Sequence, residues 1–91
     1  MRRLKFTIQA SKSVKKLIAR SPEMARRIGN RIEKLRENPT SGNSTKIVGF
    51  PCYRSRVGDY RIIYEFDDEL LYITIVEKRD KVYQRVKKLY F

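Results

Sequence analysis

Ninety-one residues with 22 Lys and Arg against 10 Asp and Glu, a formal charge of +12, predict a single small domain over 1–91 with one modest core. Hydrophobic residues make up 41% of the chain, an ordinary globular share, which excludes a disordered basic tail; the charge points to a polyanion, most often nucleic acid. Histidine is absent and Cys52 is the only cysteine, so an internal disulfide, Ser-His or Cys-His nucleophiles and the usual zinc sets are excluded.

No apolar run reaches the roughly 20 residues of a membrane span. Lys5, Gln9 and Lys12 interrupt any signal-type apolar segment, so a cytoplasmic protein with no membrane partner is expected. From Leu4 to Ala10, apolar Leu4, Phe6, Ile8 and Ala10 alternate with Lys5, Thr7 and Gln9, which predicts a half-buried strand. Ser11 then caps a short helix carrying Val14, Leu17 and Ile18. Ser21-Pro22-Glu23 starts a second helix, with serine at the cap, proline at the first position and an acid in the first turn. Its apolar stripe is Met24, Ile28, Ile32 and Leu35, and Asn38-Pro39 ends it, because a residue before proline disfavours the helical region. The basic outer face, with Arg26, Arg27 and Arg31, is solvated surface or a nucleic-acid backbone contact. Thr40 to Thr45 reads as a polar loop and Lys46 to Phe50 as a strand with an irregular end at Gly49 and Pro51.

A two-residue loop at Gly58-Asp59 sets Val57 opposite Tyr60, Arg56 opposite Arg61, Ser55 opposite Ile62 and Arg54 opposite Ile63. A similar turn at Asp68-Glu69 sets Phe66 against Leu71, Tyr64 against Ile73, Ile62 against Ile75 and Arg61 against Val76. One face then carries Val57, Tyr60, Ile62, Tyr64, Phe66, Leu71, Ile73 and Ile75 as core. The open face carries Arg54, Arg56 and Arg61. Lys78 and Arg79 emerge beside Arg61, and a last helix from Asp80 to Leu89 carries Tyr83. The expected fold is α+β: an N-terminal strand, a helical hairpin, a mostly antiparallel sheet of three to four strands, and a short C-terminal helix.

Like charges directly across a strand pair cost about 0.5 kcal/mol, so Arg56 opposite Arg61 works against stability, and such rule-breaking marks candidate function. Arginine presents a planar fork of donors that matches phosphate and stays charged. Several arginines beside a tyrosine can grip a phosphodiester and stabilise the charge that develops as it is cleaved. An RNA substrate brings its own nucleophile, the 2′-hydroxyl, so no metal or cofactor is required. Asp67, Asp68 and Glu69 read as turn residues, and Tyr53, Tyr60 and Tyr64 as core.

The run from Tyr53 to Tyr64, YRSRVGDYRIIY, and Lys78-Arg79 followed by Val82-Tyr83 resemble the RelE/ParE toxin superfamily of type II toxin-antitoxin modules. The likeness extends over nearly the whole order of elements, and Arg79 with Val-Tyr shortly after it sharpens it toward RelE. The resemblance implies a ribosome-dependent mRNA endonuclease that cuts codons in the A site and so inhibits translation. Arg54, Arg56 and Arg61 would hold the phosphate and the transition state, Arg79 would act at the leaving oxygen, and Tyr83 would serve the attacking hydroxyl. Lys46, Lys78 and Lys81 would contact RNA. Implied partners are a cognate antitoxin, the ribosome with its mRNA, and operator DNA reached through the antitoxin complex. The best-known members carry lysines where this chain has Arg54 and Arg56, and many use a histidine, so these positions shift here toward electrostatics. Two alternatives stay open: a ParE-like toxin that poisons gyrase without cleaving RNA, and a non-catalytic basic RNA- or ribosome-binding module.

Overall fold

The computed structural model describes residues 1–42 and 44–91; of the predicted loop from Thr40 to Thr45, Asn43 lies outside the described residues. The elements run β1 (Arg3–Phe6), α1 (Ile8–Arg20), α2 (Pro22–Glu37), β2 (Ser44–Lys46), β3 (Tyr53–Val57), β4 (Tyr60–Phe66), β5 (Leu70–Lys78) and α3 (Val82–Tyr90). They build an α+β fold around a five-stranded sheet of order β1-β5-β4-β3-β2. Every neighbouring pair is antiparallel except β1 and β5, which run parallel, so the sheet is mixed: four antiparallel strands after the helical hairpin, as the sequence suggested, with the N-terminal strand added alongside β5.

The first strand is shorter than its alternation implied. Thr7 ends it, because its hydroxyl accepts from the Ala10 amide at 3.0 Å and donates to the Thr74 carbonyl at 2.7 Å. Thr7, and not Ser11, is therefore the N-cap of α1. Past that cap the period changes from two to 3.6, which leaves Ile8 at 75% exposure and buries Ala10. On α1, Leu17 is buried and Val14 packs partly, while Ile18 faces solvent. The second helix starts at Pro22 and stops at Asn38 as read, with Ile28, Ile32 and Leu35 buried and Met24 packed at the margin.

Of the run from Lys46 to Phe50 only Lys46 is in a strand, at the end of β2, which begins earlier, inside the predicted polar loop. Pairing of β2 with β3 ends at Lys46 opposite Tyr53. Gly49 then takes φ +87° and the Phe50 amide returns to the Ile47 carbonyl at 3.2 Å, which turns the chain.

Between β3 and β4 the register is as the sequence implied, from Val57 opposite Tyr60 to Arg54 opposite Ile63. Gly58 adopts φ +58° while Asp59 stays at negative φ, the pattern of a type II′ hairpin turn. A Cβ at Gly58 would meet Met24 Cε at 3.0 Å and Arg27 Nη1 at 3.3 Å. Gly58→Ala is expected to cost about 1–2 kcal/mol through strain and crowding, a fall in Tm of roughly 4–16 °C in a thermal melt. An unchanged melt would show that the hairpin tip is not under this constraint.

Between β4 and β5 the register departs from the expectation. Phe66 opposes Leu71 and Tyr64 opposes Ile73, but a bulge follows, so Ile63 opposes Ile75, Ile62 opposes Val76 and Arg61 opposes Glu77. Thr74 is the extra residue; it is buried, and its hydroxyl donates to the Ile63 carbonyl at 3.2 Å, supplying a partner where the ladder breaks. Beyond Thr74 the side chains exchange faces. Val76 joins the core under the helical hairpin with Ile62, Tyr64, Leu71 and Ile73, and Ile75 moves to the other side.

That other side is not open along its length. The helix α3 lies on it, two residues later than predicted at its start, and buries Val82 and Val86 against Cys52, Ile63 and Ile75, with Ile47, Phe50 and Tyr90 at the edge. Tyr90 donates to Glu65 Oε2 at 2.8 Å and lies 3.0 Å from Thr74 Oγ1, a polar latch at the far end of the helix. Burial there pushes the Tyr90 phenol and the Cys52 thiol above their ordinary values, so both stay protonated.

Candidate functional site

The β3–β4 turn end of the α3 face lies beyond the cluster that the helix covers, and Arg54, Arg56 and Arg61 stand there. Arg56 and Arg61 are directly opposite, with Arg54 two residues along the same strand. The Arg61 guanidinium folds over the turn, donating through Nη1 to the Gly58 carbonyl at 3.1 Å and the Tyr60 carbonyl at 3.0 Å. Arg56 is exposed and bonds to no described side chain. Arg54, half-buried, donates to the Tyr83 hydroxyl and lies 6.0 Å from the centre of its ring.

Tyr83 reaches Arg54 because Val82, the first residue of α3, is fully buried. The next residue, about 100° further round the helix, projects from the packed face over the sheet end, and Tyr83 keeps 41% exposure. Since Arg54 donates to the phenol oxygen, the Tyr83 proton is free to go to a ligand.

The remaining predicted residues fall elsewhere. Because of the bulge, Glu77 and not Lys78 faces Arg61, and Glu77 holds Arg85 at 2.9 Å. Lys78 is opposite Tyr60, on the hairpin side of the sheet. Arg79 is exposed just past β5, and its amide donates to the Asp59 carbonyl at 2.8 Å, tying the end of β5 to the β3–β4 turn. Lys46 bonds to the Phe50 carbonyl at 3.0 Å within its own loop, and Lys81 is exposed before α3.

The helical arginines, which sequence alone left undivided, separate by contact. Arg26 pairs with Glu23, whereas Arg31 donates to the Ser55 hydroxyl at 3.2 Å. Arg27, Arg31, Lys34 and Arg56 line a cleft of about 340 Å³ along the edge of β3 beyond β2, and no carboxylate lines it. The signal for it lay in the i, i+4 spacing of Arg27 and Arg31, but the partner strand was not legible from spacing. Among the described residues no group of three or more His, Cys, Asp or Glu side chains is placed to hold a metal. Nor is any described helix long and apolar enough to cross a membrane.

A small basic α+β domain with a helical hairpin on one sheet face, a terminal helix on the other and arginines at the strand ends has the architecture of RelE-like toxins. Residues 4–83 match the family described as ParE toxin of type II toxin-antitoxin system, parDE; the chain belongs to this family, within the RelE/ParE superfamily, and is a type II toxin. The fold superimposes on the YoeB/ParE toxin from Agrobacterium tumefaciens with a TM-score of 0.77 at 15% identity, covering 87% of this chain and 99% of that one. It matches the Escherichia coli DinJ-YafQ toxin-antitoxin complex at 0.75 and 19%, over 90% and 97%. The archaeal RelE-RelB complex from Pyrococcus horikoshii OT3 gives 0.67 at 26% identity, over 86% and 94%. No curated protein matches the chain in sequence.

Proposed function

We propose that this toxin is a metal-independent endoribonuclease that cleaves translated mRNA in the ribosomal A site and is neutralised by a cognate antitoxin. The observation that carries this is the arrangement of Arg54, Arg56 and Arg61 at one sheet end with the Tyr83 hydroxyl held by Arg54. Three guanidinium groups suit a phosphodiester whose non-bridging oxygens gain charge as the substrate 2′-oxygen attacks phosphorus. The new bond is 2′-O to phosphorus, the broken bond is phosphorus to 5′-oxygen, and the 2′-hydroxyl proton ends on the 5′-oxygen. Arginine stays protonated, so among the five proposed residues the Tyr83 phenol is the group that exchanges the proton. Arg79, exposed at the end of β5, supplies charge toward the departing oxygen. The antitoxin partner follows from family membership and from relatives solved as toxin-antitoxin complexes.

Primer extension on a translated message, with purified toxin and ribosomes, is expected to show cuts at A-site codons. Tyr83→Phe should lower that cleavage about 100-fold, the low end for a general acid–base group, with its melt unchanged because the side chain is partly exposed. Absence of A-site cuts by the wild type would remove the nuclease assignment.

The match to a ParE family favours a second reading, a gyrase poison without nuclease activity. It predicts inhibition of supercoiling in vitro, DNA-damage signalling in cells, and toxicity that survives Tyr83→Phe.

A further inference from the structure

The exchange of faces at Thr74 sends Lys78 to the hairpin side of β5, away from the arginine site. There it lines a pocket of about 390 Å³ with Lys16 and Arg20 of α1 and with Lys81 and Arg85 at the start of α3. Lys16 and Arg20 are four residues apart on one helix, Lys81 and Arg85 four apart at the other, and Lys78 lies between them. Like charges at that spacing repel, and here two such pairs line one pocket. Glu77 is the one carboxylate in the lining, and Arg85 holds it at 2.9 Å. Among the described residues, Lys16, Arg20, Lys78 and Lys81 enter no salt bridge. All four are exposed, so packing does not explain the gathering. A set of cations drawn from three elements without a structural gain marks an anion site.

We propose that this pocket binds adjacent backbone phosphates of a nucleic-acid strand, at a site distinct from the arginine face. The assignment rests on the nucleic-acid reading of that face but not on cleavage. Phosphate, rather than an acidic protein segment, fits the lining: Ser13 and Ser21 add hydroxyl donors, Leu17 and Val76 are spent in the core, and the half-buried Tyr60 is the one aromatic among five cations. The Arg79–Asp59 backbone bond places the pocket and the arginine site at the same end of the sheet; Lys78 enters the pocket from the helical-hairpin side of β5, while Glu77, opposite Arg61, and Arg85 of α3 enter it from the arginine side. A strand held in the pocket passes the exposed Arg79 to reach Arg61.

The test uses the full chain and a fluorescein-labelled 12-nucleotide RNA, 2′-O-methylated throughout so that it cannot be cleaved, with affinity read by anisotropy at several salt concentrations. Lys16→Ala with Arg20→Ala, both exposed on α1 and changed to a strong helix former, should weaken binding at least tenfold at about 0.15 M salt. The slope of log affinity against log salt should become shallower by about 1.4, the release expected for two single-strand phosphates. Lys16→Arg with Arg20→Lys should restore both, and melting curves should coincide. Unchanged affinity, a fall in affinity without a change of slope, or weaker antitoxin binding with RNA binding intact would each overturn the assignment. Because the probe cannot be cut and no ribosome is present, this outcome is independent of the primer-extension result that decides the nuclease reading.

Discussion

Arg61→Ala should reduce A-site cleavage by about 100- to 1000-fold, the usual loss when one preorganised donor to a developing oxyanion is removed. The side chain is held for such a role. Its Nη1 is fixed by the Gly58 and Tyr60 carbonyls, so the guanidinium plane is set by the hairpin turn before any substrate arrives. It also faces Arg56 across the strand pair, a like-charge contact that the sheet bears at a cost of a few tenths of a kcal/mol or more. Glu77, opposite Arg61 on β5, and the two turn carbonyls offset that cost, so removing the side chain should change stability by no more than about 1 kcal/mol while the rate collapses. A structural role predicts the reverse, a lower melt and modest rate loss. Arg61→Lys separates charge from shape: it keeps the cation but loses the fork that spans two carbonyls and a phosphate, so most of the loss should remain. The readouts are primer extension on a translated message and growth arrest on induction. If Arg61→Ala cuts and arrests growth like the wild type, the sheet end is not the catalytic centre.

Much of this geometry could be read from the chain because a two-residue turn leaves little freedom. Gly58-Asp59 fixes the register of β3 on β4, and with period two that decides every side chain from Tyr53 to Phe66. Tyr53 accordingly stacks on Tyr64 at 5.8 Å in the core under the hairpin. The bulge at Thr74 had no such signal. It rests on contacts from the cap of α1 and from β4, the Thr7 hydroxyl on the Thr74 carbonyl and the Thr74 hydroxyl on the Ile63 carbonyl, and neither is local in sequence. One extra residue then moved Ile75, Val76, Glu77 and Lys78 to unexpected faces. Thr7 was hidden for a related reason, since a strand period runs through Ile8 and Ala10 by coincidence while the cap hydrogen bond decides the structure. The stripe Val82, Val86 and Tyr90 was visible as amphipathic. What it covers depended on which sheet face held Ile63 and Ile75.

That cover leads to the second large effect. Ile63→Ala should cost about 3 kcal/mol, near the middle of the range for deleting a fully buried isoleucine side chain, which lowers Tm by roughly 12–24 °C in a domain of this size. Ile63 is fully buried between the sheet and α3, where Cys52, Ile75, Val82 and Val86 pack around it. The helix α3 has nine residues, too few to be stable alone, so its register depends on this contact and on the Tyr90–Glu65 and Arg85–Glu77 pairs at its flanks. A cavity at Ile63 opens the cluster in which Val82 and Val86 seat α3, and loosening the start of that helix should release Tyr83 from Arg54. The proposed nuclease should then lose rate beyond what its folded fraction explains, even at temperatures well below the melt. Thiol labelling of Cys52 offers an independent measure, because the thiol is fully buried under the same helix and burial keeps it protonated. In the wild type, labelling should wait on unfolding; in Ile63→Ala it should run faster than global unfolding, through opening of α3 alone. A variant whose Cys52 stays protected while its melt falls would show that α3 is held by the whole sheet and not by this cluster. The Tyr83 position would then be independent of Ile63.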